Sequence, residues 1–235
     1  MPSLSEKKQY VKSMFDRVAS RYDFLNHLLS LGIDIYWRRQ ALKLINFQMN
    51  PRLLDLATGT GDVAVAAVKN GARKVVGVDL SHGMLIYGHE KIRKKNLHQQ
   101  IFMVCGEAEK LPLPDGCVDA ATIAFGIRNV EDIPKSLSEM ARVLTGSGIV
   151  VILEFSMPRL PVFKQLYKLY FEKILPAVGS LFSSDKKAYH YLPNSVMKFP
   201  EREAFKQLLE NTGFANVRYF DMTLGIVTVY CGIKL

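Results

Sequence analysis

The residues best suited to chemistry stand at 55–62, Asp-Leu-Ala-Thr-Gly-Thr-Gly-Asp, directly after a short apolar run. Glycines there let a ligand approach the backbone, and the helix that follows presents unpaired N–H groups at its N-terminus. The next apolar run, KVVGVD, ends in Asp79, eighteen residues after Gly61. A carboxylate at that strand end can accept both hydrogen bonds of a ribose diol. Gly59-x-Gly61-x-x-Ala64 alone would satisfy a loose dinucleotide fingerprint. Asp55 turns the reading, because a carboxylate at this strand end repels the pyrophosphate of a dinucleotide. The sulfonium and α-amino group of S-adenosylmethionine have the opposite need. Asp62 suits the same ligand, or it is a first-turn residue favoured by the helix dipole.

A third run, IFMVCG, leads into Glu107-Ala108. In an S-adenosylmethionine site the adenine edge lies here, within reach of the Ala108 N–H and the Glu107 side chain. A fourth run ends in Ala124-Phe125-Gly126-Ile127-Arg128-Asn129. In open α/β sheets the reactive centre lies outside the carboxyl ends of the strands, so this segment is expected to face the methyl group. It carries no Asn-Pro-Pro-Tyr or Asp-Pro-Pro-Tyr to grip a flipped base, and no cysteine to add to a pyrimidine ring.

These residues need elements to position them. Residues 5–46 show helical periodicity broken at Gly32, with Tyr10, Val11, Met14 and Val18 on the first apolar face. From Arg52 short apolar runs alternate with helical stretches, which predicts βαβ units and a parallel sheet with right-handed crossovers. The last two runs, VRYFDMTLG and IVTVYCGIK, read as an antiparallel pair closing the sheet edge through a tight connection at Gly225. With 235 residues the chain fits one domain. No apolar stretch approaches the ~18 residues of a membrane span, and the charged N-terminus lacks the core of a secretory signal. Three widely spaced cysteines, Cys105, Cys117 and Cys231, read as reduced and mostly buried, not as disulfides or metal ligands. Lys and Arg exceed Asp and Glu by 31 to 22, a net charge of +9 that favours anionic surfaces, nucleic acid or lipid.

With these residues in view the chain resembles the UbiE/MenG/COQ5 family of C-methyltransferases in quinone biosynthesis, over almost its whole length. The matching segments include Met14-Phe15-Asp16-Arg17-Val18-Ala19, Tyr22-Asp23-Phe24-Leu25-Asn26 and Tyr36-Trp37-Arg38-Arg39. The narrowest are Phe125-Gly126-Ile127-Arg128-Asn129-Val130 and Leu153-Glu154-Phe155-Ser156-x-Pro158, followed later by Tyr191-Leu192-Pro193-Asn194-Ser195. The resemblance implies a class I methyltransferase fold: Rossmann-like α/β, a seven-stranded sheet with an antiparallel final strand, N-terminal helices over 1–50 and a helical lid over 157–200. It implies S-adenosylmethionine at Asp55, Thr58, Gly59, Thr60, Gly61, Asp79, Met84, Glu107, Ala108 and Ala124. The implied substrate is a polyprenylated quinol, demethylmenaquinol or a methoxy-polyprenyl-benzoquinol, near Tyr22, Phe125, Tyr167 and Tyr191.

Carbon methylation needs a carbon nucleophile, which a quinol becomes once a ring hydroxyl loses its proton. A phenol with a pKa near 10 needs help at neutral pH. Arg128 is expected to stabilise the phenolate, with a salt bridge to Asp132 or Glu131 as the plain alternative. Asn129 is expected to orient a hydroxyl or a relaying water, and His190 is a candidate base. Tyr22 and Asp23 are expected to close the cofactor pocket. An NAD-dependent oxidoreductase and a nucleic-acid methyltransferase are the competing classes, disfavoured by Asp55 and by the absent Pro-Pro motif. Segment 158–190 carries six cationic residues against two acidic ones, interleaved with Phe163, Leu166, Tyr167, Tyr170 and Phe171. That pattern suits a helix lying on an anionic membrane, so a cytoplasmic protein with peripheral contact at the inner face is expected. Packing on the domain or in a homodimer is the alternative.

Overall fold

The computed structural model describes residues 5–170 and 186–235. Seven strands form a single sheet: β1 (Arg52–Leu56), β2 (Lys74–Asp79), β3 (Ile101–Cys105), β4 (Val118–Ala124), β5 (Leu144–Phe155), β6 (Phe214–Met222) and β7 (Val227–Lys234). Their order is β3-β2-β1-β4-β5-β7-β6. Pairings from β3 through β5 are parallel, and β7 runs antiparallel to both β5 and β6. The expected antiparallel pair is therefore present, with β7 inserted between β5 and the edge strand β6.

The strands read as near-continuous apolar runs because helices cover both faces. Along β1 the alternation sorts the two layers: Leu53 joins a core with Trp37, Leu42, Val63 and Leu153, while Leu54 and Leu56 join another with Leu137, Ile152, Phe205 and Tyr230. Crossover helices α4 (Asp62–Lys69), α5 (His82–Lys94) and α6 (Ile133–Val143) link the parallel strands. Each start is chemically marked. Gly61 precedes α4 at φ 84°, Ser81 caps α5 by accepting from Met84 N, and Asp132 caps α6 by accepting from Lys135 N.

Three helices, α1 (Glu6–Val18), α2 (Tyr22–Leu29) and α3 (Ile33–Leu42), precede the sheet and lie over the carboxyl ends of its strands. Gly32, at φ 76°, sets α3 off from α2. The segment read as a lid holds α7 (Pro161–Leu169) and α8 (Lys186–Lys198), and α9 (Glu203–Glu210) packs on the sheet through buried Phe205 and Leu209. The apolar run around Phe171 lies outside the described residues. Only Cys231 of the three cysteines is buried, and Cys105 is exposed, at the end of the half-open strand β3.

Candidate active site

The glycine loop leaves β1 through three left-handed residues: Ala57 at φ 51°, Gly59 at φ 55° and Gly61 at φ 84°. It is closed by Gly61 N donating to Thr58 O at 2.8 Å and Thr58 N donating to Val78 O at 3.2 Å. Asp79, at the end of β2, ties the loop to its own turn. One carboxylate oxygen accepts from Gly59 N and the other from Ser81 N, each at 2.8 Å. Burial pushes its carboxyl up to about 6, against these two N–H groups, which favour the ionised form. Asp79 lines a cleft, and a carboxylate has about four acceptor sites in all.

That cleft is also lined by Gly59, Met84, Glu107, Ala108 and Ala124, and is roofed by Phe15 and Tyr22 from the N-terminal helices. A Cβ on Gly59 would meet only the Tyr22 ring, at 3.9 Å, so the backbone is open to a ligand there. Gly126 serves another purpose. A Cβ on it would sit 2.5 Å from Ala57 Cβ, so the loops after β1 and β4 touch only because this residue has no side chain.

Four residues expected at the cofactor have side-chain partners within the protein. Asp55 is fully buried and does not line the cleft; its carboxylate accepts hydroxyl hydrogen bonds from Thr58 at 2.6 Å and Thr122 at 3.0 Å. Burial raises it to about 6, with those hydroxyls pulling the other way. It anchors the loop to β4. The Glu107 carboxylate lines the cleft but is paired with Lys8 of α1 at 2.6 Å. Thr58 and Thr60 likewise brace the loop from within, the Thr60 hydroxyl donating to Asp23 at 2.5 Å. Lys91 of α5 pairs with both Asp23, at 2.5 Å, and Asp62, at 2.7 Å. Asp62 is thus a helix-start residue holding a lysine, and Asp23 clamps α2 onto the glycine loop.

A second cavity, of about 430 Å³, lies beyond a shared wall formed by Phe15, Tyr22, Phe125 and Asn129. Its walls are mostly apolar: Met14, Leu25, Leu29, Trp37, Phe155, Phe163, Leu166 and Ile226, with Tyr167 and Tyr191 from α7 and α8. Phe125, at φ 59°, stacks on Phe155 with centroids 4.6 Å apart, and Trp37 closes the cluster 6.1 Å away. Polar groups enter from Ser30, Asp34, Arg38, Arg128 and Asn129. Asn129 Oδ1 is buried with no hydrogen-bond partner among the described residues. The phenols of Tyr167 and Tyr191 are pushed upward by burial, so both stay protonated.

Arg128 corrects an expectation. Neither Asp132 nor Glu131 holds it. Its guanidinium donates to Glu154 Oε1 at 2.5 Å and to the Phe125 carbonyl at 2.6 Å, and lies 5.4 Å from the Phe155 ring centroid. Glu154 has no exposure at all, and burial raises its carboxyl while Arg128 lowers it. The pair fixes the turn after β4, and the guanidinium reaches the second cavity already partnered by a carboxylate. The two narrowest sequence motifs, one with Arg128 and the other with Glu154, are the two halves of this ion pair. The His190 side chain lies outside the described residues.

The sequence reading also missed Asp34, His27 and Arg38. Asp34 is buried; His27 Nδ1 lies 3.0 Å from Oδ2, the Ser30 hydroxyl donates to Oδ1 at 2.7 Å, and the Arg38 guanidinium donates to Oδ2. The available signal was Asp34 and Arg38 one turn apart beside Trp37 on an apolar helix face.

The strand order, the reversed strand β7, the glycine loop and the acidic end of β2 at Asp79 define a class I S-adenosylmethionine-dependent methyltransferase. The model of the ubiE/COQ5 methyltransferase family matches residues 3–234, and the chain belongs to that family. It is 50% identical over 236 residues, with full coverage of both chains, to the ubiquinone/menaquinone biosynthesis C-methyltransferase UbiE of Geotalea uraniireducens. It is 42% identical to the demethylmenaquinone methyltransferase of Chlorobaculum parvum, across 98% of this chain and 95% of that one. Among solved structures, a Thermotoga maritima S-adenosylmethionine-dependent methyltransferase shares the fold with TM-score 0.69 at 20% identity, covering 96% of this chain and all of that one. A Haemonchus contortus phosphoethanolamine N-methyltransferase, solved with S-adenosylmethionine, matches with TM-score 0.58 at 17% identity over 78% of this chain and 48% of that one.

Proposed function

We propose that the protein methylates a ring carbon of a polyprenylated quinol in menaquinone or ubiquinone biosynthesis, with demethylmenaquinol as the preferred acceptor. The observation that carries this reading is the pair of cavities sharing the wall of Tyr22, Phe125 and Asn129. One has the polar features of a nucleoside site, and the other is aromatic, large enough for a bicyclic ring, and polar at one side only. S-adenosylmethionine, when bound, supplies an electrophilic methyl group. Asp79 would hold its ribose, the Gly59 backbone its amino-acid end, and Met84 and Ala108 its adenine.

On the acceptor side, the cluster of Trp37, Phe125 and Phe155 would pack against the ring, and Asn129 would turn its unpartnered Oδ1 to a ring hydroxyl. A donor there would satisfy a buried acceptor that otherwise costs about 1–3 kcal/mol. Positioning of this kind can contribute on the order of 7–11 kcal/mol to catalysis.

The isoprenoid tail would leave between α2 and α7. The Tyr170 hydroxyl donates to Leu29 O at 2.8 Å, joining the two elements. Around that junction Phe24, Leu28, Leu31, Leu160, Val162, Leu166 and Leu169 are exposed. Such a rim suits the interfacial plane of a membrane holding the lipid-soluble substrate. No helix among the described residues is long and apolar enough to cross a membrane.

The test is incubation with S-adenosylmethionine carrying a labelled methyl group and short-chain forms of both quinols. Label on a ring carbon of the naphthoquinol, with slower transfer to the benzoquinol, is expected. Transfer to oxygen, or to neither acceptor, would refute the reading.

A further inference from the structure

Replacing a ring hydrogen by a methyl group releases one proton, and here that happens among the mostly apolar walls of the second cavity. The groups on its wall differ in what they can accept. Arg128 and Arg38 are cations with no acceptor site. The tyrosines Tyr22, Tyr167 and Tyr191 are held protonated by burial. Asp34 is the only carboxylate among the described residues lining this cavity.

Asp34 is 4% exposed and faces charged or titratable groups on two helices. From α2, His27 Nδ1 lies 3.0 and 3.1 Å from its two oxygens; from its own helix, the Arg38 guanidinium donates to it. The opposite ring nitrogen of His27 lies 3.8 Å from Asp62 of α4, which also lies 3.9 Å from Arg38 and 2.7 Å from Lys91 of α5. The His27 side chain is 35% exposed, so a path runs from the cavity through a carboxylate and an imidazole to solvent.

We propose that Asp34 accepts the proton of the quinol hydroxyl and passes it to His27, which releases it outside the cavity. The inference rests on the C-methylation reading above. The O–H bond breaks, its proton goes to a carboxylate oxygen of Asp34, and its electron pair is pushed onto the ring carbon, which would take the methyl as the methyl–sulfur bond breaks and its electron pair returns to sulfur, leaving S-adenosylhomocysteine. The hydrogen on the methylated carbon then passes as a proton to the ring oxygen, which restores the aromatic quinol, so the one proton released per turnover is the one that Asp34 took. Burial works against ionisation of Asp34, but Ser30, Arg38 and His27 outweigh it and hold the carboxyl below the ordinary range. The carboxylate is therefore ionised and ready at neutral pH but holds a proton poorly. The His27 ring nitrogen 3.0 Å away is the next group in line to take it. Asp34 is thus the catalytic residue, and His27 a positioning and relay residue.

The experiment compares Asp34→Asn and His27→Gln with the unmodified enzyme, using short-chain demethylmenaquinol from pH 6 to pH 10. Asp34→Asn should lose about 100-fold or more in kcat at pH 7. The loss should shrink below about tenfold near pH 10, where a phenol ionises unaided. His27→Gln should lose about tenfold. Both losses should shrink with an acceptor whose ring carries an electron-withdrawing group. Calorimetric affinities for S-adenosylmethionine and for the methylated product should stay within about threefold of the unmodified enzyme. Turnover of both variants within about twofold of the unmodified enzyme at pH 7 would overturn the relay, as would a loss constant across pH and acceptors. Should Asp34→Asn not fold, the half-exposed His27→Gln decides alone. Failure of the unmodified enzyme to methylate the quinol would instead overturn the C-methylation reading.

Discussion

At the scale of single residues, two carboxylates at neighbouring strand ends do different work although both are raised to about 6 by burial. Asp79 faces the cofactor cleft and Asp55 faces β4. A carboxyl raised above its unfolded value of about 3.9 binds more protons folded than unfolded, so these two groups lower stability as pH climbs from about 4 to 6. Cofactor affinity should move the other way, because a protonated Asp79 offers the ribose fewer acceptors. Calorimetry from pH 5 to 8 should show S-adenosylmethionine binding weaken as pH falls through about 6. Asp79→Asn should flatten that dependence and weaken binding at least about tenfold, ~1.4 kcal/mol. A folded variant with unchanged affinity would remove Asp79 from the site. Arg128 calls for a stability measurement alongside kinetics. Arg128→Ala leaves Glu154 charged and buried without its partner, which should cost about 3–5 kcal/mol in urea unfolding. Replacing both, with Met and Leu, should recover most of that loss. A single variant as stable as the parent would show that the pair does not hold the turn.

At the scale of elements, the sheet was readable because a parallel sheet covered on both faces writes itself as apolar runs between helical stretches. The glycine loop and Asp79 were readable because their geometry is local: a turn, a strand end, a helix start. Side-chain partners distant in sequence were not. Arg128 and Glu154 stand 26 residues apart and meet only because β4 and β5 are neighbours. Asp55 has the residue type of a ligand-binding carboxylate, and only the register of β4 beside β1 reveals Thr122 waiting for it. Position 126 gives the test at this scale. Gly126→Ala would force its new Cβ against Ala57, 2.5 Å away, and push apart the loops that carry the two cavities. A loss of about 1–3 kcal/mol in stability is expected, with cofactor affinity falling in the folded fraction. Thermal unfolding and calorimetry with no change in either would contradict the loop contact.

At the scale of the whole molecule, the net charge of +9 and the apolar rim between α2 and α7 are two aspects of one proposed surface. Leu31, at the α2–α3 turn, is 91% exposed and extends this rim. Vesicles with anionic lipid should sediment the protein, less so at high salt, and Leu31→Glu with Leu166→Glu should weaken that binding without changing cofactor affinity. Equal binding to neutral vesicles, or none, would favour a protein partner for the same rim. The central claim is that donor and acceptor occupy the two cavities on either side of the Tyr22–Phe125–Asn129 wall. Its most direct test is a crystal structure with S-adenosylhomocysteine and a short-chain demethylmenaquinol bound together. The ribose is expected on Asp79 and the quinol ring against the cluster of Trp37, Phe125 and Phe155, with the sulfur and a ring carbon facing each other past Tyr22 and Asn129, spaced for one methyl group. A quinol seated elsewhere, such as the groove between Tyr10 and Lys198, or a ribose away from Asp79, would contradict it.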